Sequence, residues 1–304
     1  MANLKEVRTR IESVKSTRQI TSAMKLVAAS KLRKAQNAIM ALRPYANKLQ
    51  EIMGNVGDSI RTDEQPYLQK RENEHVLIVV FTSNKGLCGA FNTNVIKHTV
   101  NYIQKKYPSL NKEGKVNLMT IGKKATEFFT KNNYNVVENH DHIYDELSFA
   151  NASEIAEEIM EAFRNKTYDH VDMIYNKFIN TASQEVTTEQ LLPLESVNDD
   201  KEKADEIMDD DINYDEDYEE YIFEPDKKTI TEEVIPKTLK IQFYKALLDS
   251  NASEHGARMT AMHQATENAT SLVKELQLSY NKARQEAITN EILEVTTGAE
   301  ALKG

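Results

Sequence analysis

Apolar residues recur at alternating steps of three and four from the first turn of the chain onward. Leu4, Val7, Ile11 and Val14 open the series, and Ala28, Leu32, Ala35, Ile39, Leu42, Ala46, Leu49, Met53 and Val56 continue it. Between the two runs, Arg18, Thr21 and Lys25 hold the register. This alternation is the heptad spacing of a left-handed coiled-coil seam. It predicts one N-terminal helix over 1–60, its seam from Leu4 to Val56 roughly 80 Å long at about 1.5 Å per residue. Pro44 falls inside it, where a missing backbone donor favours a kink. The other end of the chain repeats the spacing through Leu248, Ala252, His255, Met259, Met262, Thr266, Ala269, Val273, Leu276, Tyr280, Ala283 and Ala287. No proline follows Pro236, so a second long helix is predicted over 228–302. Two seamed helices at opposite ends of one chain are natural partners. The pattern predicts an antiparallel coiled coil with the middle of the chain inserted between its arms.

The middle changes period. "HVLIVVF" reads as a buried strand, and "NTNVIKHTVNYIQKKY" as an amphipathic helix capped by Asn92 or Thr93. "KVNLMTIG", "YNVVEN", "HVDMIYNKFI" and "EVTTEQLLPL" read as further strands, with helices in "KKATEFFTKNN" and "SFANASEIAEEIMEAFRN". Alternation of this kind predicts an α/β, Rossmann-like domain over 75–195. An acidic, weakly apolar stretch over 196–220 reads as a mobile insertion. "YIFEP" then reads as an edge strand of the domain over 221–226. The predicted class is thus α/β with long terminal helices.

Charge sharpens this division. Residues 1–50 carry 11 Lys/Arg against 2 Glu, whereas residues 198–220 carry 13 Asp/Glu against 2 Lys. The net charge of -10 conceals two surfaces suited to different partners. Ser16–Lys34 has no acidic residue, although a helix built only to fold would place Glu four residues before its cations. The length of 304 residues suggests about two domains. The single cysteine, Cys88, excludes an internal disulfide and suits a reducing compartment. The longest apolar run, Val76–Phe81, is too short to span a bilayer. The basic start resembles a transit peptide, but its helical pattern runs on past residue 40 as a cleavable leader would not. A soluble, intracellular chain is expected.

Candidate chemistry is sparse. "TSNKGLCGAFN" joins a strand to a helix, where phosphate loops occur, but Gly86 and Gly89 match neither nucleotide-binding fingerprint. A tight, exposed turn that serves as a contact surface fits better. Cys88 lacks a sequence-evident histidine partner, so a structural thiol is expected. His140 and His142 flank Asp141, but two histidines without a spaced third ligand do not make a metal site, and none is expected. The basic N-terminal helix suits phosphate neutralisation, which keeps a nucleic-acid-binding helical hairpin with an α/β insert as the alternative. Against it, no aromatic residue interleaves the cations of Ser16–Lys34.

Five segments together carry a family resemblance. They are "ITSAMKLVAASKLRKAQ" (Ile20–Gln36), "RPYA" (Arg43–Ala46), "GLCGAFN" (Gly86–Asn92), "ASEHGARMTAMHQATENA" (Ala252–Ala269) and "YNKARQEAITNEILEVTTGAEAL" (Tyr280–Leu302). They resemble the gamma subunit of F-type ATP synthases, in that family's order and over nearly the whole chain. The last is the most specific, matching the family signature at Ile288, Thr289, Glu291, Glu294, Gly298 and Ala299. The acidic stretch around 198–220 is longer than the family leads one to expect.

The resemblance implies a central rotor shaft. It implies that the terminal helices turn inside a ring of three alpha and three beta subunits, with the middle domain on the c-subunit ring beside the epsilon subunit. Met24, Arg258, Arg284, Gln285 and Thr289 lie where relatives touch the alpha/beta ring. Gly86, Leu87, Cys88, Gly89, Tyr221 and Glu224 lie where relatives meet the c ring and epsilon. The resemblance implies no catalytic residue, no cofactor and no nucleic acid. Membrane contact would come only through the c ring, at the cytoplasmic face of a bacterial inner membrane.

Overall fold

The computed structural model describes residues 4–57, 66–72, 74–181, 183–194 and 227–301. The readings of 196–220 as an insertion and of 221–226 as an edge strand fall outside these residues. The chain forms two units, one of Met1–Ser30 with Arg258–Gly304 and one of Lys31–Ala257. Two long helices contribute to both, α1 (Leu4–Gly57) and, at the other end, α6 (Lys227–Ala301).

In the first unit α1 and α6 pair along the seam that the heptad spacing predicts. Val7, Ile11, Thr21 and Ala28 are buried, and Leu4, Val14, Arg18 and Lys25 are half-buried. On α6, Met262, Ala269 and Val273 are buried, with Met259, Thr266, Leu276, Tyr280 and Ala283 half-buried. Thr21 Oγ1 lies 2.8 Å from Thr266 Oγ1, and Lys25 Nζ lies 3.3 Å from His263 Nδ1. One number rises as the other falls, so the helices are antiparallel. One expectation fails. Ala287, placed in the seam by spacing, is exposed, as is every residue from Arg284 to Ala301. The register explains it. In both contacts the residue numbers add to 287 or 288, so Leu4, where α1 begins, stands opposite about residue 284. Beyond that point α6 has outrun the described residues of α1.

The second unit is built on a sheet of β1 (Val76–Phe81), β2 (Val116–Ile121), β3 (Val136–Asn139), β4 (His170–Phe178) and β5 (Gln184–Leu192), in the order β3-β2-β1-β4-β5 among the described residues. All neighbours are parallel except β4 and β5. The helices are α2 (Phe91–Lys106), α3 (Pro108–Lys112), α4 (Lys123–Lys131) and α5 (Phe149–Arg164). The continuous apolar run of β1 has its reason here, since a central parallel strand is covered on both faces. Leu77, Val79 and Phe81 pack with Ile155, Ile159 and Phe163 of α5 and with Ile235, Leu239 and Phe243 of α6. Val76, Ile78 and Val80 point the other way, toward Val95 and Ile103 of α2 and Phe129 of α4. The early turns of α6 are therefore core of the α/β unit. Polar contacts reinforce them: Gln242 Nε2 donates to Glu189 Oε1 at 2.9 Å, and Ser253 Oγ to the Asn176 carbonyl at 3.0 Å.

The N-terminus of α2 differs from the reading. Its cap position is Ala90, with no side-chain cap. The Asn92 carboxamide is drawn away to Ser83, accepting from the Ser83 N–H at 2.9 Å and donating to Ser83 Oγ at 2.8 Å. Ser148 does cap α5, accepting from the Asn151 N–H at 3.3 Å. The connections β1–β2 and β2–β3 run over one face and β3–β4 over the other. The strand order thus reverses between β1 and β4, and the loop of residues 82–90 leaves the sheet at that switch point.

Candidate interaction surfaces

The overhanging end of α6 has no neighbour among the described residues, yet it is not uniformly polar. Ile288, Ile292 and Val295 are 48 %, 58 % and 67 % exposed, and their spacing of four and three sets them on one face. A solvated helix gains nothing from such a stripe, which makes the face a candidate contact surface. Gln285 and Thr289 sit one turn apart, joined by a 2.9 Å bond from the Thr289 hydroxyl to the Gln285 carbonyl. With Lys282, Glu286 and Asn290 they line an open depression of about 480 Å³. Arg284 is exposed at its edge of the helix, while Met24 on α1 and Arg258 on α6 are half-buried in the coil.

On α1 the cation-rich stretch answers its own composition. Ala28 sits in the seam at 2 % exposure, and such small side chains let the paired helices approach closely. Lys25 reaches across to His263, whereas Lys31, Arg33 and Lys34 are exposed. Off the seam, Ile20, Leu26 and Val27 are also exposed. They are contact candidates that the heptad reading passed over, although removing the seam positions from the apolar list leaves them visible.

The loop after β1 is a second surface. Leu87 is 66 % exposed and holds φ 63°, a left-handed conformation that a bulky side chain adopts at a cost. Gly89 follows at φ 61°. A polar knot beneath holds this shape. Ser83 Oγ donates to the Lys85 carbonyl at 2.7 Å, and Asn92 Nδ2 lies 3.2 Å from Cys88 Sγ. From the neighbouring loops, the Lys123 N–H donates to Asn84 Oδ1 at 3.1 Å, and Asn84 Nδ2 to the Asp141 carbonyl at 2.8 Å. Gly86, Leu87 and Gly89 are thereby presented outward, and Cys88 is turned in at 1 % exposure.

The arrangement is a poor phosphate cradle. The Ser83 and Phe91 N–H groups already donate to Asn92 and to the Cys88 carbonyl, whereas a phosphate loop aims such groups at its ligand. A thiol at 1 % exposure is likewise closed to substrate. Tyr221 and Glu224, expected on this side, lie outside the described residues.

Comparison with known proteins decides the family. A sequence model described as ATP synthase matches residues 3–302. The ATP synthase gamma chain of Christiangramia forsetii is 50 % identical over 305 residues, covering 100 % of both chains. That of Flavobacterium psychrophilum is 49 % identical over 309 residues with the same coverage. The chain belongs to the ATP synthase gamma chain family. Its fold agrees. The rotor of the Euglena gracilis mitochondrial ATP synthase superposes with a TM-score of 0.62 at 25 % identity, over 94 % of this chain and 98 % of that one. By family and fold it is a central-stalk subunit of an ATP synthase. The resemblance read from Ile288 to Ala299 is thus a true one, and the nucleic-acid-binding alternative finds no support in these gamma-chain relatives.

Proposed function

We propose that this gamma chain is the turning shaft of a rotary motor and performs no bond chemistry itself. The bare end of α6, apolar along Ile288, Ile292 and Val295, would run inside a ring of three alpha and three beta subunits. Gln285, Thr289 and Arg284 on it, with Met24 and Arg258 lower in the coil, would meet the sleeve. The loop from Gly86 to Gly89, together with Tyr221 and Glu224, would meet the c ring and the epsilon subunit. Ion flow through the c ring turns the shaft, and an asymmetric shaft holds three equal catalytic subunits in three different states. Coupling then follows from differential contacts with those states.

The observation that carries this reading is the α6 overhang, a helix that keeps an apolar face and the family signature where its own partner has ended. Charge supports it as well. Cations such as Lys31, Arg33 and Lys34 can meet acidic sleeve loops through long-range attraction, which tolerates rotation better than interlocked packing. The coupling needs no cofactor in this chain. Among the described residues no helix is long and apolar enough to cross a membrane, so attachment at the cytoplasmic face of a bacterial inner membrane would come through the c ring. Co-expression tests the reading. One copy of this chain should purify with three alpha, three beta and one epsilon subunit, and the isolated chain should hydrolyse no ATP. Hydrolysis by the pure chain, abolished by a substitution within 75–195, would refute it.

A further inference from the structure

Three metal-ligating side chains converge where β3 ends. Glu138 lies on β3 and His140 just beyond it, two residues apart and so directed to one side of an extended backbone. Glu158 comes from α5. His140 Nε2 lies 3.2 Å from Glu138 Oε2 and 3.6 Å from Glu158 Oε2. All three donor atoms fall within 4.8 Å of one another. The imidazole is set in place, its side chain 13 % exposed and its backbone N–H donating to the Thr120 carbonyl at 2.9 Å. Both glutamates are open to solvent.

Two arguments favour a cation over a plain hydrogen-bond cluster. One ring N–H cannot satisfy two carboxylates at once, and among the described residues no lysine or arginine pairs with either glutamate. Two of the three separations also fit. Donors about 2.1 Å from a tetrahedral ion stand about 3.4 Å apart, and the observed separations of 3.2 and 3.6 Å bracket that value. We propose that Glu138, His140 and Glu158 form a site for a divalent transition ion of the zinc type, which clips the edge strand β3 to α5. Imidazole with carboxylates selects such an ion over magnesium or calcium, which prefer all-oxygen shells. His142, its ring 5.9 Å from that of His140, is not among the converging donors, which leaves the fourth position to solvent. The sequence hid this site. It showed His140, Asp141 and His142 side by side, but Asp141 pairs with Lys123 at 3.5 Å, and the true co-ligand lies eighteen residues on from His140, in α5.

Titration of Zn2+ into the chelator-treated full chain tests the proposal, with Co2+ as a spectroscopic stand-in. One saturable ion per chain is expected, with a melting temperature raised by Zn2+ and unmoved by Mg2+. Glu158→Gln and His140→Ala should each weaken binding by more than the roughly tenfold that loss of an outer-shell partner costs. The Co2+ visible spectrum should change with them. Glu158 is exposed, so its variant folds and decides the matter even if His140→Ala does not. Zn2+ affinity unchanged in Glu158→Gln, or no saturation at one ion per chain, would overturn the site.

Discussion

Thr21 and Thr266 meet hydroxyl to hydroxyl, 2.8 Å apart, between α1 and α6. The Thr266 hydroxyl also reaches its own helix, at 2.7 Å from the Met262 carbonyl. Either hydroxyl can donate across the seam while the other donates to its own helix, Thr21 to the Arg18 carbonyl at 3.1 Å or Thr266 to that of Met262. A polar pair within an apolar seam acts as a peg, because sliding one helix by a turn would bury both hydroxyls against apolar neighbours. Thr21→Val should lower stability by about 1 kcal/mol. The double variant with Thr266→Val should lose less than the two single losses combined. Urea unfolding of the four proteins measures this, and strict additivity would show that the pair is not coupled.

Acid should attack the α/β unit through Asp172. Its carboxylate is buried at 1 % exposure. Tyr102 and Tyr107 donate to it at 2.7 and 3.0 Å, and His170 Nε2 lies 2.9 Å away. Burial alone would raise its pKa, but the bond and charge of His170, the bond from Tyr102 and the charge of Lys106 outweigh burial and leave it below the ordinary range. A depressed carboxylate stabilises the fold above its unfolded pKa of about 3.9, and this contribution disappears as pH falls through the folded value. Asp172→Asn should cost about 3 kcal/mol at neutral pH and flatten the acid limb of the stability curve.

Asp249 should behave in the opposite sense. Burial, only partly offset by Lys245, Lys177 and Arg43, pushes its pKa up to about 6. The fold then favours the protonated form, so stability is full below about pH 4 and declines as pH rises through about 6. Asp249→Asn should gain up to about 3 kcal/mol at pH 8 and nothing at pH 4. Chemical denaturation at the two pH values reads the difference.

Gly122 is fixed by geometry. It holds φ 108°, and a Cβ there would lie 2.1 Å from the Thr82 carbonyl oxygen, next to the loop after β1. Gly122→Ala should cost at least about 3 kcal/mol and loosen that loop. Gly86→Ala, with nothing within 4 Å of its added Cβ, serves as the control and should be nearly silent in thermal unfolding.

Much of this architecture was legible because periodicity reports burial. The three-four steps from Leu4 to Leu49 name residues that are all buried or half-buried. Met53 and Val56 lie where no side chains are described. Spacing could not show where one helix outruns the other, since that depends on register, and Ala287 was misplaced for this reason. Nor could it show that Ile235, Leu239 and Phe243 pack on a sheet, because a helix facing a sheet and one facing a helix repeat alike. Asn92 was misread as a cap because its carboxamide has a better partner in Ser83, nine residues away. The proposed sleeve contacts rest on the family resemblance of the segments that carry them, not on any local property. Leu87 in its left-handed backbone had no sequence warning beyond Gly86 before it and Gly89 two residues after.

Met24→Lys should harm coupling more than assembly. Met24 is half-buried on the cation-rich stretch of α1. A further cation there would pair strongly with an acidic sleeve loop in one orientation and resist turning. In membrane vesicles, ATP hydrolysis should persist while ion pumping falls. Equal loss of both, in step with lower complex abundance, would indicate misfolding instead.

The central claim is that this chain turns while its partners do not. A bead attached at Lys112→Cys, on an exposed position of α3, to a complex held down through its beta subunits tests it directly. On addition of ATP the bead should rotate in one direction with three stops per turn, one for each beta subunit. A bead that stays still while the same complex hydrolyses ATP would contradict the claim.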